Sequence, residues 1–310
     1  MLARGDFCGS WVVKRRLGSG SFGVVYEVAN VYTQVEAAAK LEKAYRFNST
    51  LFYESALLKK LGFCRGIPKF FEIFTTVCKG EVYHVLVLEL LSENLDAVFR
   101  SYGYNFTSHE VVFFVRQIVL LLKLVHGENY IHRDVKPQNF VLGVGANRNR
   151  VYIIDFGLSQ LYRSEGRHIQ FSYQNRVVGT IKFASINSLL GFQQSRRDDL
   201  ESCSWMLKYF CSRSQFYRKA FPVRQERLSV KALVRLKLKV IEELFQKEHR
   251  TTVDRFILYT TFLGFTENPD YSYLLSVLQV LFERNGVVGL CCVEKLRRFH
   301  RTNLRCGKPT

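Results

Sequence analysis

The densest chemistry in the chain lies in YIHRDVKPQNF, residues 130–140, where His132, Arg133, Asp134, Lys136, Pro137 and Asn139 share one short stretch. Charged and amide groups rarely crowd together for packing alone, because buried charge must be paired or it costs stability. A polar loop between apolar segments usually carries function. Phosphoryl transfer to a hydroxyl has needs that these residue types meet. The departing proton needs an acceptor, which Asp134 offers. The moving phosphate needs a cation beside it, which Lys136 offers. Mg²⁺ must bridge the phosphates, and Asn139 together with Asp155 of IIDFG supplies hard oxygen ligands suited to it.

Two upstream features extend that chemistry. LGSGSFGVV comprises Leu17, Gly18, Ser19, Gly20, Ser21, Phe22, Gly23, Val24 and Val25, with the glycines in GxGxxG spacing. A dinucleotide-binding turn needs such glycines to open a helix. Here VVYEV follows, an alternating strand-like run, so a hairpin with the glycines at its tip is expected. Its backbone N–H groups would then lie over triphosphate oxygens. The bland alternative is an ordinary glycine turn. Lys40 ends AAAK on an expected internal strand and needs an anionic partner, which Glu54 on the following helix can supply. The alternative, a surface lysine on an edge strand, loses weight beside the Gly-rich loop.

The elements that must position these groups change character along the chain. WVVKRRL, FGVVYEVA, VEAAAKLE, FFEIFTTV and YHVLVLEL read as strands, with one helix, TLFYESALLKKLG, between them. Beyond residue 93 the pattern is mostly helical, over 109–126, 197–211, 226–247, 252–263 and 271–284. The break falls at ELLSENL, where Ser92 is a candidate cap for the next helix. Thr107 and Glu110 have capping-box spacing before a buried core helix. That helix is interrupted by Arg116, Gln117 and Lys123, so no membrane span is expected.

Taken in order, these features match the protein-kinase pattern: Gly-rich loop, strand lysine, helix glutamate, H-R-D-x-x-x-x-N and D-F-G. The chain resembles the casein kinase 1 family of serine/threonine kinases through LGSGSFG, HRDVKPQNF, IIDFGLS, GTIKFASIN and GFQQSRRDDLES. Ser185-Ile186-Asn187, where most kinases carry an APE-type sequence, and QSRRDDLES are the specific parts. ENPDYSYLLSVLQVLF, 267–282, is similar to the family's C-terminal helix. The resemblance implies an α+β, two-lobed protein kinase fold over 10–285, with a β-rich lobe to about 90 and a helical lobe from about 93. It also implies ATP and Mg²⁺ as cofactors, adenine against the backbone of Glu89 to Leu91, and Leu88 as gatekeeper. Lys136 and Thr180 imply serine/threonine substrates.

The chain departs from the family pattern at several points. Gln138 replaces an acid, and Cys203-Ser204 replaces Leu-Gly. No Leu-Pro-Trp segment is recognisable near CSRSQFYRK. Gln160 and Lys182 stand where the family has a basic residue and an arginine. Lys182, Arg163 and Arg176 are the candidate residues for substrate anions, so acidic or phosphorylated protein substrates are expected.

The net charge of +18 implies an acidic partner without choosing among nucleic acid, membrane surface and protein. Arg227, Lys231, Arg235 and Lys239 share a helix face, as a docking surface or a solvated one. The basic tail, 286–310, reads equally as an import or nucleic-acid patch and as a disordered end. Eight cysteines show neither CxxC pairs nor a disulfide framework. An intracellular protein of nucleus or cytoplasm is expected, monomeric and with no direct need of nucleic acid. A catalytically dead scaffold and a nucleic-acid-binding module are the rival readings. The intact Lys40, Glu54, Asp134, Asn139 and Asp155 oppose the first, and the second explains none of the ordered motifs.

Overall fold

A computed structural model describes residues 2–20, 23–45, 49–211 and 229–283. They fall into two compact units that interleave along the chain. The first comprises Met1–Ala97, Leu121–Gln170 and Val178–Thr180; the second comprises Val98–Leu120, Phe171–Val177 and Ile181–Thr310.

The first unit is built on a six-stranded antiparallel sheet: β1 (Phe7–Cys8), β2 (Trp11–Ser19), β3 (Val24–Asn30), β4 (Glu36–Lys43), β5 (Phe70–Cys78) and β6 (Glu81–Glu89). The strand order is β1-β2-β3-β4-β6-β5. Side chains alternate between faces with period two. On β4, Ala37, Ala39 and Leu41 therefore enter a core with Val28, Tyr26, Val85 and Val87, which leaves Lys40 to the opposite face. All five strands read from the sequence form, and the two-residue β1 is added at the edge. Helix α1 (Leu51–Leu61) buries Leu51, Leu57, Leu58 and Leu61, apolar residues at helical spacing. The short strands β7 (Tyr130–Ile131), β8 (Phe140–Leu142), β9 (Val151–Ile153) and β10 (Gln160–Leu161) pair as β7 with β10 and β8 with β9. A small hairpin of β11 (Arg163–Ser164) and β12 (Arg167–His168) follows.

Helix α2 (Leu95–Ser101) corrects one expectation. Its cap is Asn94, whose side-chain oxygen accepts the Ala97 N–H at 3.0 Å. Ser92 instead donates its backbone N–H to Leu142 O at 2.8 Å. Helix α3 (Ser108–Gly127) begins with the expected capping box. Thr107 N–H donates to the Glu110 carboxylate at 2.7 Å, and Glu110 N–H donates to Thr107 Oγ1 at 3.2 Å.

The second unit holds α4 (Ile186–Leu189), α5 (Arg196–Cys211), α6 (Val230–Gln246), α7 (Thr252–Phe262) and α8 (Tyr271–Glu283). Aromatic rings fill its core. Phe99 lies 4.7 Å from Phe106, 5.0 Å from Tyr209 and 5.1 Å from Phe210, centroid to centroid. Three charged side chains hold one tripeptide there. Lys237 Nζ donates to Ala184 O, Ser185 Oγ donates to Asp198, and Ile186 N–H donates to Glu201. Burial lowers the Lys237 ammonium and raises the Glu201 carboxyl from their ordinary values. Lys231, Arg235 and Lys239 are exposed on α6 as their spacing implies, while Arg227 and the basic tail lie outside the described residues. Among the described residues, no helix is long and apolar enough to cross a membrane.

Candidate active site

The Gly-rich segment forms the expected hairpin. Gly18 faces Val25 and Ser19 faces Val24 across β2 and β3, and Gly20 N–H donates to Gly23 O at 2.9 Å. Glycine is required at position 23 by a close approach, since a Cβ there would lie 2.2 Å from Leu41 O. Leu17 is exposed, Val24 and Val25 are half-buried, and Ser21 and Phe22 lie outside the described residues.

The β4 lysine has its partner. Lys40 Nζ donates to Glu54 Oε2 at 2.7 Å and to Asp155 Oδ1 at 2.8 Å. Glu54 is buried on α1, and its other oxygen accepts the Phe156 N–H at 3.1 Å. Burial would lower Lys40, but the two carboxylates outweigh it and hold the ammonium above its ordinary value. Burial pushes Asp155 up, and Lys40 more than reverses this, so that carboxyl sits below its usual range.

The loop after β7 turns its polar groups onto one another. Asp134 is nearly buried. Its Oδ1 accepts both the N–H and the hydroxyl of Thr180, at 2.8 and 2.7 Å. Its Oδ2 accepts from Lys136 Nζ at 2.6 Å and from Asn139 Nδ2 at 3.2 Å. Lys136 Nζ also donates to Thr180 Oγ1 at 3.1 Å. Asn139 donates a second time, to Asp134 O at 2.9 Å. With its nitrogen so engaged, Asn139 offers Oδ1, and Asp155 offers carboxylate oxygen, as hard donors of the kind a divalent cation takes.

Two links tie this loop to Asp155. His132 meets Ile154 O at 3.0 Å through Nε2 and accepts the Asp134 N–H at 3.3 Å through Nδ1. Since a carbonyl only accepts, Nε2 carries the proton. Ile154 N–H donates to Asn139 O at 3.0 Å. Arg133 and Asp155 both have φ of 66°, a left-handed conformation that non-glycine residues hold only where their surroundings impose it.

The family model of the protein kinase domain matches residues 11–269. The chain belongs to the protein kinase family. The kinase thus has the α+β kinase fold that the sequence suggests, β-rich toward its N-terminus and helical toward its C-terminus. As a protein kinase domain it transfers phosphate from ATP to protein.

Glu89 ends β6, with its N–H donated to Lys69 O at 2.8 Å and its carboxylate accepting the Lys69 N–H at 3.1 Å. Leu91 follows, half-buried. The candidate anion residues of the kinase are not gathered in one unit. Arg163 is exposed on the β11–β12 hairpin, its Nε donated to Gly166 O at 3.0 Å. Arg176 is exposed in the second unit, where Lys182 Nζ sits 4.1 Å from the centre of the Tyr209 ring.

Gly179 escaped the sequence reading. Its φ is +95°, and a Cβ would lie 2.3 Å from Arg133 O, so only glycine lets Thr180 reach Asp134. The signal was present, because Gly179 directly precedes Thr180 in GTIKF.

Proposed function

We propose that this kinase is a serine/threonine kinase of casein kinase 1 type, acting on acidic or already phosphorylated protein substrates. The observation that carries it is the clasp of Thr180 and Lys136 on the two oxygens of Asp134. A lysine two residues beyond the catalytic aspartate, joined to a threonine, suits a small aliphatic hydroxyl acceptor. The segments SIN and QSRRDDLES support the subfamily.

Asn139 and Asp155 fit a magnesium ion, both as hard oxygen donors and because the Asn139 nitrogen is already turned to Asp134. Magnesium-bound ATP would supply the γ-phosphate, and the metal held by Asn139 and Asp155 would offset part of the phosphate charge. Lys40, kept charged by Glu54, holds the α- and β-phosphates. The backbone of Gly18, Gly20 and Gly23 covers them. With the Glu89 N–H committed to Lys69, the Glu89 carbonyl and the Leu91 backbone remain to meet adenine. Asp134 orients the acceptor hydroxyl and takes its proton as the new O–P bond forms. Lys136 offsets charge on the transferred group.

The test is phosphate transfer from labelled ATP with Mg²⁺ to matched peptides bearing serine, threonine or tyrosine in an acidic context. Transfer to serine and threonine alone is expected. Transfer to tyrosine would refute the hydroxyl class, and ATP binding without transfer would make the protein a scaffold.

A further inference from the structure

The sheet of the first unit has two outer strands, β1 and β5, and they meet. Asp6 and Lys79 form an ion pair at 2.7 Å beyond one end of each strand, and Trp11 donates its indole N–H to Glu72 on the other side. Between these two ties lie Cys8 and Cys78, both buried, with their sulfur atoms 3.2 Å apart. The Cys78 thiol donates to Phe7 O at 3.3 Å, which leaves the Cys8 thiol to donate to the Cys78 sulfur. Among the described residues, Cys64, Cys203 and Cys211 have no such sulfur partner.

We propose that Cys8 and Cys78 form a reversible disulfide that staples the two outer strands of the sheet. The sulfur atoms already stand within about 1.2 Å of bonding distance. The ion pair ties the ends of β1 and β5 and the indole bond ties β2 to β5, so closing the bond asks for little more than a turn of two side chains. Hydrogen peroxide is a sufficient oxidant. One thiolate attacks a peroxide oxygen, giving a sulfenic acid and hydroxide. The second thiol then displaces water, so that two thiols and one peroxide give one disulfide and two waters. Burial and the neighbouring Cys78 push the Cys8 thiol up, so thiolate is scarce at neutral pH and the reaction is slow, quickening as pH rises. The pair is therefore set by sustained oxidising conditions rather than by a brief pulse. The bond would link residues 70 apart and restrict the unfolded chain more than the folded one.

The experiment uses the full chain, reduced and then held with excess peroxide at pH 8.5. Remaining thiols are blocked under denaturing conditions, and the chain is digested without reductant for mass spectrometry. A linked peptide joining Cys8 to Cys78 is expected, lighter by two hydrogens than its two parts and lost on reduction. The oxidised protein should melt about 5–10 °C above the reduced protein. Cys8→Ser and Cys78→Ser should each abolish both effects, while reduced Cys8→Ser still melts in one transition and transfers phosphate. The proposal is overturned if both cysteines stay alkylatable in the oxidised wild-type chain, if peroxide carries them to sulfinic acid instead, or if the bond forms and melting does not rise. The mass measurement on wild-type protein decides the point even if a variant fails to fold.

Discussion

Arg133 donates from Nη1 to the side-chain oxygen of Gln160 at 2.7 Å, and from Nε to Leu158 O at 2.6 Å. Both acceptors are neutral and both lie just after Asp155. Kinases that order this region by phosphorylation do so with new arginine–phosphate pairs. Here neutral partners from the chain hold Arg133 without a phosphate. The unphosphorylated recombinant protein should therefore be active from its first turnover. A lag removed by pre-incubation with ATP, or dependence on an added kinase, would show that the segment from Asp155 to Asn187 needs a phosphate after all.

Asp134→Asn removes the proposed proton acceptor but keeps an oxygen for Thr180. Turnover should fall by about 10²–10⁴-fold while ATP binding persists. Asp155→Asn should instead weaken binding of magnesium-bound ATP. Pre-steady-state turnover and equilibrium titration separate the two. Equal loss of binding in both variants would contradict the assigned roles.

Lys40→Met leaves the Glu54 carboxylate buried without its ammonium, and should cost about 3–5 kcal/mol in urea unfolding. The deficit should depend on pH. Glu54, already raised by burial, would rise further, and a carboxyl with a raised folded pKa loses stability as pH climbs from its unfolded value through its folded one. Asp155, now lowered by Lys40, would lose stability that is fully present above its unfolded pKa and fades as pH falls through its folded one. Both effects make the deficit larger in neutral solution than in mild acid. Lys40→Met with Glu54→Gln should recover most of it. A deficit independent of pH would mean that lost packing, not stranded charge, is the cause.

Lys182→Ala should raise KM for an acidic or phosphorylated peptide by about 1.5–5-fold, the effect of one solvent-screened charge contact, and hardly alter a neutral peptide. The comparison is kcat/KM for peptides with phosphoserine, aspartate or alanine upstream of the acceptor, at low and high salt. Equal values at low salt would leave Lys182 with no task beyond its seat on Tyr209. A preference for basic peptides would reverse the substrate assignment.

The local parts of the fold were legible because they are set by short periods. Alternation along EAAAKLEK gives β4 and points Lys40 away from the core, and helical spacing gives α1 with Glu54 on it. What was missed depends on distance along the chain or on backbone shape. Cys8 and Cys78 meet only because the outermost strands of the sheet meet. Ser92 lost its capping role to Asn94 because a tie to Leu142 holds it elsewhere. Lys237 looks like its exposed neighbours Arg235 and Lys239 in sequence, yet it faces inward and is buried. In the candidate catalytic loop the residue types suggested the chemistry. The left-handed turns at Arg133 and Asp155 had no such signature, and the need for a bare backbone at Gly179 was marked only by its place beside Thr180.

The unit that carries the candidate catalytic groups is assembled from three separate stretches, the last of them only Val178–Thr180. A ribosome must therefore deliver residue 180 before the clasp on Asp134 can close. Lys40 and Glu54 are translated long before it, so they wait on an incomplete site. A nonsense codon between positions 158 and 178 would yield a product with every conspicuous motif from the Gly-rich loop to DFG but with Asp134 lacking its Thr180 partner. For the same reason no single cut in the coding sequence separates this kinase into two self-sufficient halves.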